Sequence, residues 1–155
     1  MGIHLFRRTV AAWAGVFVAL CAESACVLTQ EGPRITLENE FVKLTVRADR
    51  GAAGSALLYK PADCDLAGLP DRGLLLDRFW VAGRRDDFYL KPYTVEVLET
   101  GPEKVRVAFS CPAQSIGFTD LALTKTITLE AGRSILDVCL TLTNSMGLCS
   151  IAERT

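Results

Sequence analysis

The sequence predicts an all-β fold, an antiparallel two-sheet sandwich preceded by a signal-peptide helix, on three observations. Apolar and polar residues alternate at a period of two in run after run from Arg34 to Thr143. Turn-forming Gly and Pro residues separate the runs. No window of a dozen residues after residue 24 carries a helical period. Successive side chains of a strand point to opposite faces, so such alternation buries one face and wets the other.

In chain order, Ile35 and Leu37 alternate with Thr36 and Glu38, then Val42, Leu44 and Val46 with Lys43, Thr45 and Arg47. Asp49-Arg50-Gly51 closes that strand. Gly51-Ala52-Ala53-Gly54 reads as a turn, too short for a phosphate loop, leading into a strand at 54–60. The stretch 61–73 carries two prolines and two glycines and reads as a loop. A strand at 77–80, a turn at 81–85 and a returning strand at 86–93 follow. Val95 and Val97 belong to the next strand, and Gly101-Pro102 turns it into Val105, Val107 and Phe109. Leu121, Leu123, Ile127 and Leu129 share a face opposite Thr124, Thr126, Thr128 and Glu130. After Ala131-Gly132, Leu136, Val138, Leu140 and Leu142 oppose Asp137, Cys139, Thr141 and Thr143. The expectation is eight or nine strands in two stacked sheets.

The chain has 155 residues, 17 Lys+Arg against 18 Asp+Glu, a net charge of −1, 50% hydrophobic and 23% charged residues. This is a globular composition, not a disordered one. A nucleic-acid binder normally carries a basic surplus, so nucleic acid is not expected as a partner.

Residues 1–24 read as a secretory signal. Arg7 and Arg8 are its positive start, Thr9 to Cys21 an uncharged apolar run, and Ala22-Glu23-Ser24 a small-x-small cleavage site. The domain expected to remain is a β-sandwich at 25–155, secreted or periplasmic. The alternative is a membrane anchor through an uncleaved segment, or through acylation at Cys21 or Cys26. Loss of Arg7, Arg8 and Glu23 leaves 15 basic and 17 acidic residues, a net charge of −2. It also removes His4, the single histidine.

That loss argues against Ser-His-Asp and Cys-His catalysis and against histidine-ligated zinc. No catalytic residue, metal site or cofactor is assigned. Asp63, Asp65 and Asp71 are the nearest approach to a calcium cluster, and Asp86-Asp87 read as solvated turn charges. The six cysteines, at 21, 26, 64, 111, 139 and 149, include no CxxC pair. An exported chain permits disulfides. Cys139 suits a bridge to a loop cysteine, and buried free thiols are the alternative.

The stretch 77–93 is rich in Arg, Asp and aromatics. Arg78 and Trp80 fall on one strand face, and Tyr89 on the returning strand. Aromatic faces stack on sugar rings and Arg bonds hydroxyls, so Arg78, Trp80 and Tyr89 are the candidate ligand-binding residues. The polar faces at Lys43, Thr45 and Arg47 and at Thr124, Thr126 and Thr128 are plain solvent surface or a seat for polar ligands. The strand at 133–143 ends as a long, fairly apolar edge. It leads to the expectation that the sandwich is incomplete at its C-terminal end, or closes by edge-strand self-association.

ITLENEFVKLTV (35–46), with Asn39 to Val46 as N-x-x-V-x-L-x-V, GSALLYK (54–60) and LTKTITLEAGRSILDVCLTLTN (123–144) together resemble the opening portion of the galactose-mutarotase-like supersandwich. The resemblance implies a carbohydrate-associated sandwich. In its epimerases a histidine and a carboxylate do the acid–base work, and neither carries over to a position here. The expected function is an exported carbohydrate-binding or accessory module without chemistry of its own. The alternatives are an epimerase- or lyase-like enzyme using carboxylate and tyrosine groups such as Asp77 with Tyr89, or an inactive fragment.

Overall fold

A computed structural model describes residues 25–67, 73–77, 88–114 and 120–145. Among them are two antiparallel sheets. The first has five strands in the order β1-β2-β3-β4-β5: Val27–Glu31, Arg34–Glu38, Val42–Arg47, Ala53–Tyr59 and Cys64–Asp65. The second has four in the order β6-β7-β8-β9: Thr94–Thr100, Lys104–Pro112, Leu121–Glu130 and Leu136–Asn144. Both are meanders, in which each strand pairs with its sequence neighbour, as short turns between alternating runs require.

The alternation decides what is buried. Ile35, Leu37, Leu44 and Val46 of the first sheet and Val105, Val107, Phe109, Ile127 and Leu129 of the second are all fully buried and belong to one cluster. Burying a side chain of this size contributes about 1.5–3 kcal/mol, so this shared layer is what holds the sheets together.

Polar clamps fix their relative placement. Asn39, buried in the β2–β3 turn, donates from Nδ2 to the carbonyls of Glu130 and Arg133, both at 2.8 Å. Its Oδ1 accepts from the backbone N–H of Phe41 at 2.9 Å and of Val42 at 2.8 Å. The next residue, Glu40, accepts from the Gly132 N–H at 2.7 Å. At the chain's other crossing, the Cys26 N–H donates to the Pro102 carbonyl at 2.7 Å.

Several boundaries differ from expectation. β1 has no apolar alternation, being exposed at every position except half-buried Leu28, so pattern alone does not mark it. It forms because the turn at Gly32-Pro33 folds it back on β2 in an unbroken register from Val27↔Glu38 to Glu31↔Arg34. Ala53 and Gly54 begin β4 instead of ending a turn. The expected loop at 61–73 holds the end of a 3-10 turn at Lys60–Ala62 and the short β5. Residues 88–93 are turn and irregular chain instead of a returning strand. There Leu90 takes φ 55°, and the segment is tied to residues 48–51 by Gly51 N–H to the Lys91 carbonyl and Tyr93 N–H to the Ala48 carbonyl.

Cys26, Cys64 and Cys139 are free thiols. Cys26 and Cys111 are buried in the apolar cluster, while Cys64 and Cys139 are exposed and form no bridge. Among the described residues β9 is an edge strand. Its core-facing row includes Val138, 38% exposed, and Leu140, 47% exposed. The signal segment lies outside the described residues.

Candidate functional site

An open polar groove of about 430 Å³ lies on the outer face of the first sheet. The register builds it in rows. Thr29, Thr36 and Thr45 stand side by side on β1, β2 and β3. The row toward one end is Glu31 and Arg34, and the row toward the other is Glu38 and Lys43. A register shift between Thr45 and Val46 leaves Ser55 as the extra residue of β4. A bulge re-aims the side chain it carries, and Ser55 joins Ala56 in the groove wall.

The groove is a hydroxyl surface with charged ends. The Thr36 and Thr45 hydroxyls are 3.4 Å apart, and the Ser55 hydroxyl donates to the Thr45 carbonyl at 3.2 Å. Glu38 is bracketed by two ammonium groups, Lys60 at 2.6 Å and Lys43 at 3.0 Å. The hydrogen bond from Lys60 holds the Glu38 carboxyl below its usual range. Partial burial opposes this, and Lys43 adds to the lowering. The Arg34 side chain has no ion-pair or hydrogen-bonding partner among the described residues.

Lys43 and Thr45, expected on a polar face, line this groove; Arg47 does not, being paired with Asp49 at 2.7 Å. The sequence reading missed Thr29, because β1 was missed, and Ser55, because a bulge leaves no pattern. On the second sheet, Thr124 of the expected polar face hydrogen-bonds with Ser110 of the neighbouring strand at 3.0 Å.

Arg78 and Trp80 lie outside the described residues, as do Asp71, Asp86 and Asp87. Tyr89 is described: it is half-buried in the turn after buried Phe88. The Asp77 carboxylate meets the Lys125 ammonium at 2.8 Å. Lys125 sits on the apolar face of β8 between Leu123 and Ile127 and is fully buried. Besides Asp77, its ammonium donates to the carbonyls of Leu75, of Ala52 at 3.2 Å and of Gly51 at 3.5 Å. The Tyr93 ring centroid lies 6.0 Å away. Burial lowers the Lys125 pKa, while Asp77 opposes the shift. The sequence signal for it is a charged residue on an apolar stripe, Lys125 between Leu123 and Ile127.

Asp65 accepts from the N–H groups of Leu57 at 3.0 Å and Ala67 at 2.9 Å, so it serves its own turn. Among the described residues no group of His, Cys, Asp and Glu is arranged to hold a metal ion, and no helix is long and apolar enough to cross a membrane.

No protein-family model matches the chain, and no curated protein matches it. Among solved structures, it is similar to a TPR-domain-containing protein from Parabacteroides distasonis, with a TM-score of 0.55 and 16% sequence identity. The likeness covers 77% of this chain and 27% of that one, so the chain spans about a quarter of that protein's length. At this identity the likeness speaks of the fold alone. A tetratricopeptide repeat is a pair of helices, and the described residues contain no α-helix, so the repeat does not carry over.

Proposed function

We propose that the chain is an exported carbohydrate-binding or accessory module whose contact surface is the outer groove of the five-stranded sheet. The observation that carries this reading is the row Thr29, Thr36 and Thr45 with Ser55 beside it. Neighbouring strands are about 4.8 Å apart. Hydroxyls repeated at that interval suit a ligand that itself presents hydroxyls at regular spacing. The similarity of residues 35–144 to the galactose-mutarotase-like supersandwich supports the same class of ligand. Export is inferred from the charged start, apolar run and small-residue site within residues 1–24. A module without its own chemistry fits the pairing of Asp77 with Lys125, which commits the carboxylate of the acid–base alternative to a structural partner.

The test is a glycan array probed with the processed chain and with Thr36→Val and Thr45→Val. A neutral hydrogen bond contributes about 1 kcal/mol, so each variant is expected to lose binding several-fold with its thermal stability retained. Unchanged retention of every bound sugar by both variants removes the groove from the function. An array with no bound sugar removes the carbohydrate reading.

A further inference from the structure

We infer that the groove selects an acidic saccharide, one carrying a carboxylate on its ring, and that Arg34 is the residue that receives the carboxylate. This rests on the carbohydrate reading above and narrows it.

Three observations point the same way. First, the charged residues lining the groove are Arg34, Lys43, Glu31 and Glu38, and Glu38 is already engaged by Lys43 and, from outside the lining, by Lys60. Second, the cations are unequally committed. Lys43 and Lys60 are both held by Glu38, and neighbouring Arg47 is held at 2.7 Å by Asp49. Arg34 is cross-strand neighbour to both Glu31 and Arg47, yet forms an ion pair with neither Glu31 nor Asp49. Its guanidinium is therefore available as a planar fork, and such a fork matches a carboxylate in two parallel bonds. Third, the position fits. Arg34 and Thr36 project from the same face of β2, two residues or about 7 Å apart along the strand. A sugar ring lying over the threonine row thus has its substituents within reach of the Arg34 side chain. Among the described residues the groove lining contains no aromatic side chain, so hydrogen bonds and charge lead its recognition of a ligand.

The test compares two matched probes by calorimetric titration: a short oligogalacturonide, and the same oligomer with its carboxyl groups reduced to hydroxymethyl. Each is titrated into the wild-type chain and into Arg34→Gln and Arg34→Lys. A charge-assisted pair is worth about 1.5–3 kcal/mol, which is about tenfold to a hundredfold in affinity. The acidic probe is expected to bind wild type at least about tenfold more tightly than the reduced probe. Arg34→Gln is expected to erase that preference, and Arg34→Lys to restore only part of it. The preference should also fade with added salt. Equal binding of both probes, with no effect of Arg34→Gln, overturns the acidic selectivity and leaves the carbohydrate reading standing. Binding of neither probe, together with an empty glycan array, overturns both.

Discussion

Lys125 and Asp77 form an ion pair of 2.8 Å on the core side of β8, with the lysine wholly removed from water and the aspartate 12% exposed. The lysine gathers the carbonyls of Gly51, Ala52 and Leu75, which lie outside the strands. Ala52 and Leu75, two of its carbonyl partners, both take positive φ, 46° and 60°. A left-handed conformation costs a non-glycine residue about 1–2 kcal/mol, and the bonds to the ammonium offset that strain. Removing one partner strands a buried charge, at a cost of about 3–5 kcal/mol. Lys125→Ala and Asp77→Ala are each expected to lose stability on that scale in urea unfolding. The double variant Lys125→Met with Asp77→Leu is expected to lie closer to wild type than either single variant. Additive losses would show that the two residues act independently.

The same lysine gives a pH signature. Burial lowers the Lys125 pKa below the ordinary lysine range, with Asp77 pulling it partly back. Between the lowered value and the ordinary one, the unfolded chain binds more protons than the folded chain, so this group makes stability rise with pH across that window. Below the window both states hold the proton, and the charged lysine carries its full burial penalty. The urea midpoint of wild type is expected to climb relative to that of Lys125→Met as pH rises toward the ordinary lysine value of about 10.5. Parallel curves for the two proteins would assign the pH dependence to other groups.

Asn39 joins the two sheets through a single side chain. Its amide donates to Glu130 and Arg133 on the β8–β9 side and accepts from Phe41 and Val42 on its own side. Asn39→Ala leaves both carbonyls and both N–H groups without these partners, and an unsatisfied buried group costs about 1–3 kcal/mol. A loss of roughly 2–4 kcal/mol is expected once water reaches part of the turn. Asn39→Asp keeps the acceptor and loses the donors, so it should destabilise less in its own turn. Hydrogen exchange checks this: the Phe41 and Val42 amides should stay protected in Asn39→Asp and lose protection in Asn39→Ala.

Most of the fold was legible because it rests on alternation. The run Leu121–Glu130 ends where the pattern ends, and the inward sets on β2, β3, β7 and β8 are those that alternate. What was illegible depends on contacts between distant residues. β1 is a strand by pairing alone, since its side chains face water on nearly every position. The bulge that exposes Ser55 is a property of two strands together. Residues 88–93 leave the strand conformation because residues 48–51 offer them hydrogen bonds. Half of the groove was visible, as Lys43 and Thr45 on a polar face. The other half needed β1 and Arg34 set beside them. Lys125 could be placed on the apolar face from its position in β8, but its partner Asp77 comes from a segment whose path no local pattern fixes.

Gly51 and Gly32 separate two reasons for requiring glycine. Both have positive φ, 74° and 58°. A Cβ at Gly32 meets nothing within 4 Å, whereas one at Gly51 would come within 2.9 Å of the Leu90 backbone nitrogen and 3.3 Å of its Cα. The Gly51 N–H also holds the Lys91 carbonyl at 2.7 Å, and its own carbonyl accepts from Lys125. Gly32→Ala therefore incurs the left-handed penalty alone, about 1 kcal/mol. Gly51→Ala adds a clash with backbone that cannot rotate away, so it must displace residues 88–91 or unseat Lys125. It is expected to cost about 2–4 kcal/mol and to weaken the pH dependence assigned to Lys125. Urea unfolding of both variants across the alkaline range measures the two effects together. Equal losses at the two glycines, with the Lys125 signature intact in both, would mean that the approach of residue 51 to Leu90 is not what orders this end of the sandwich.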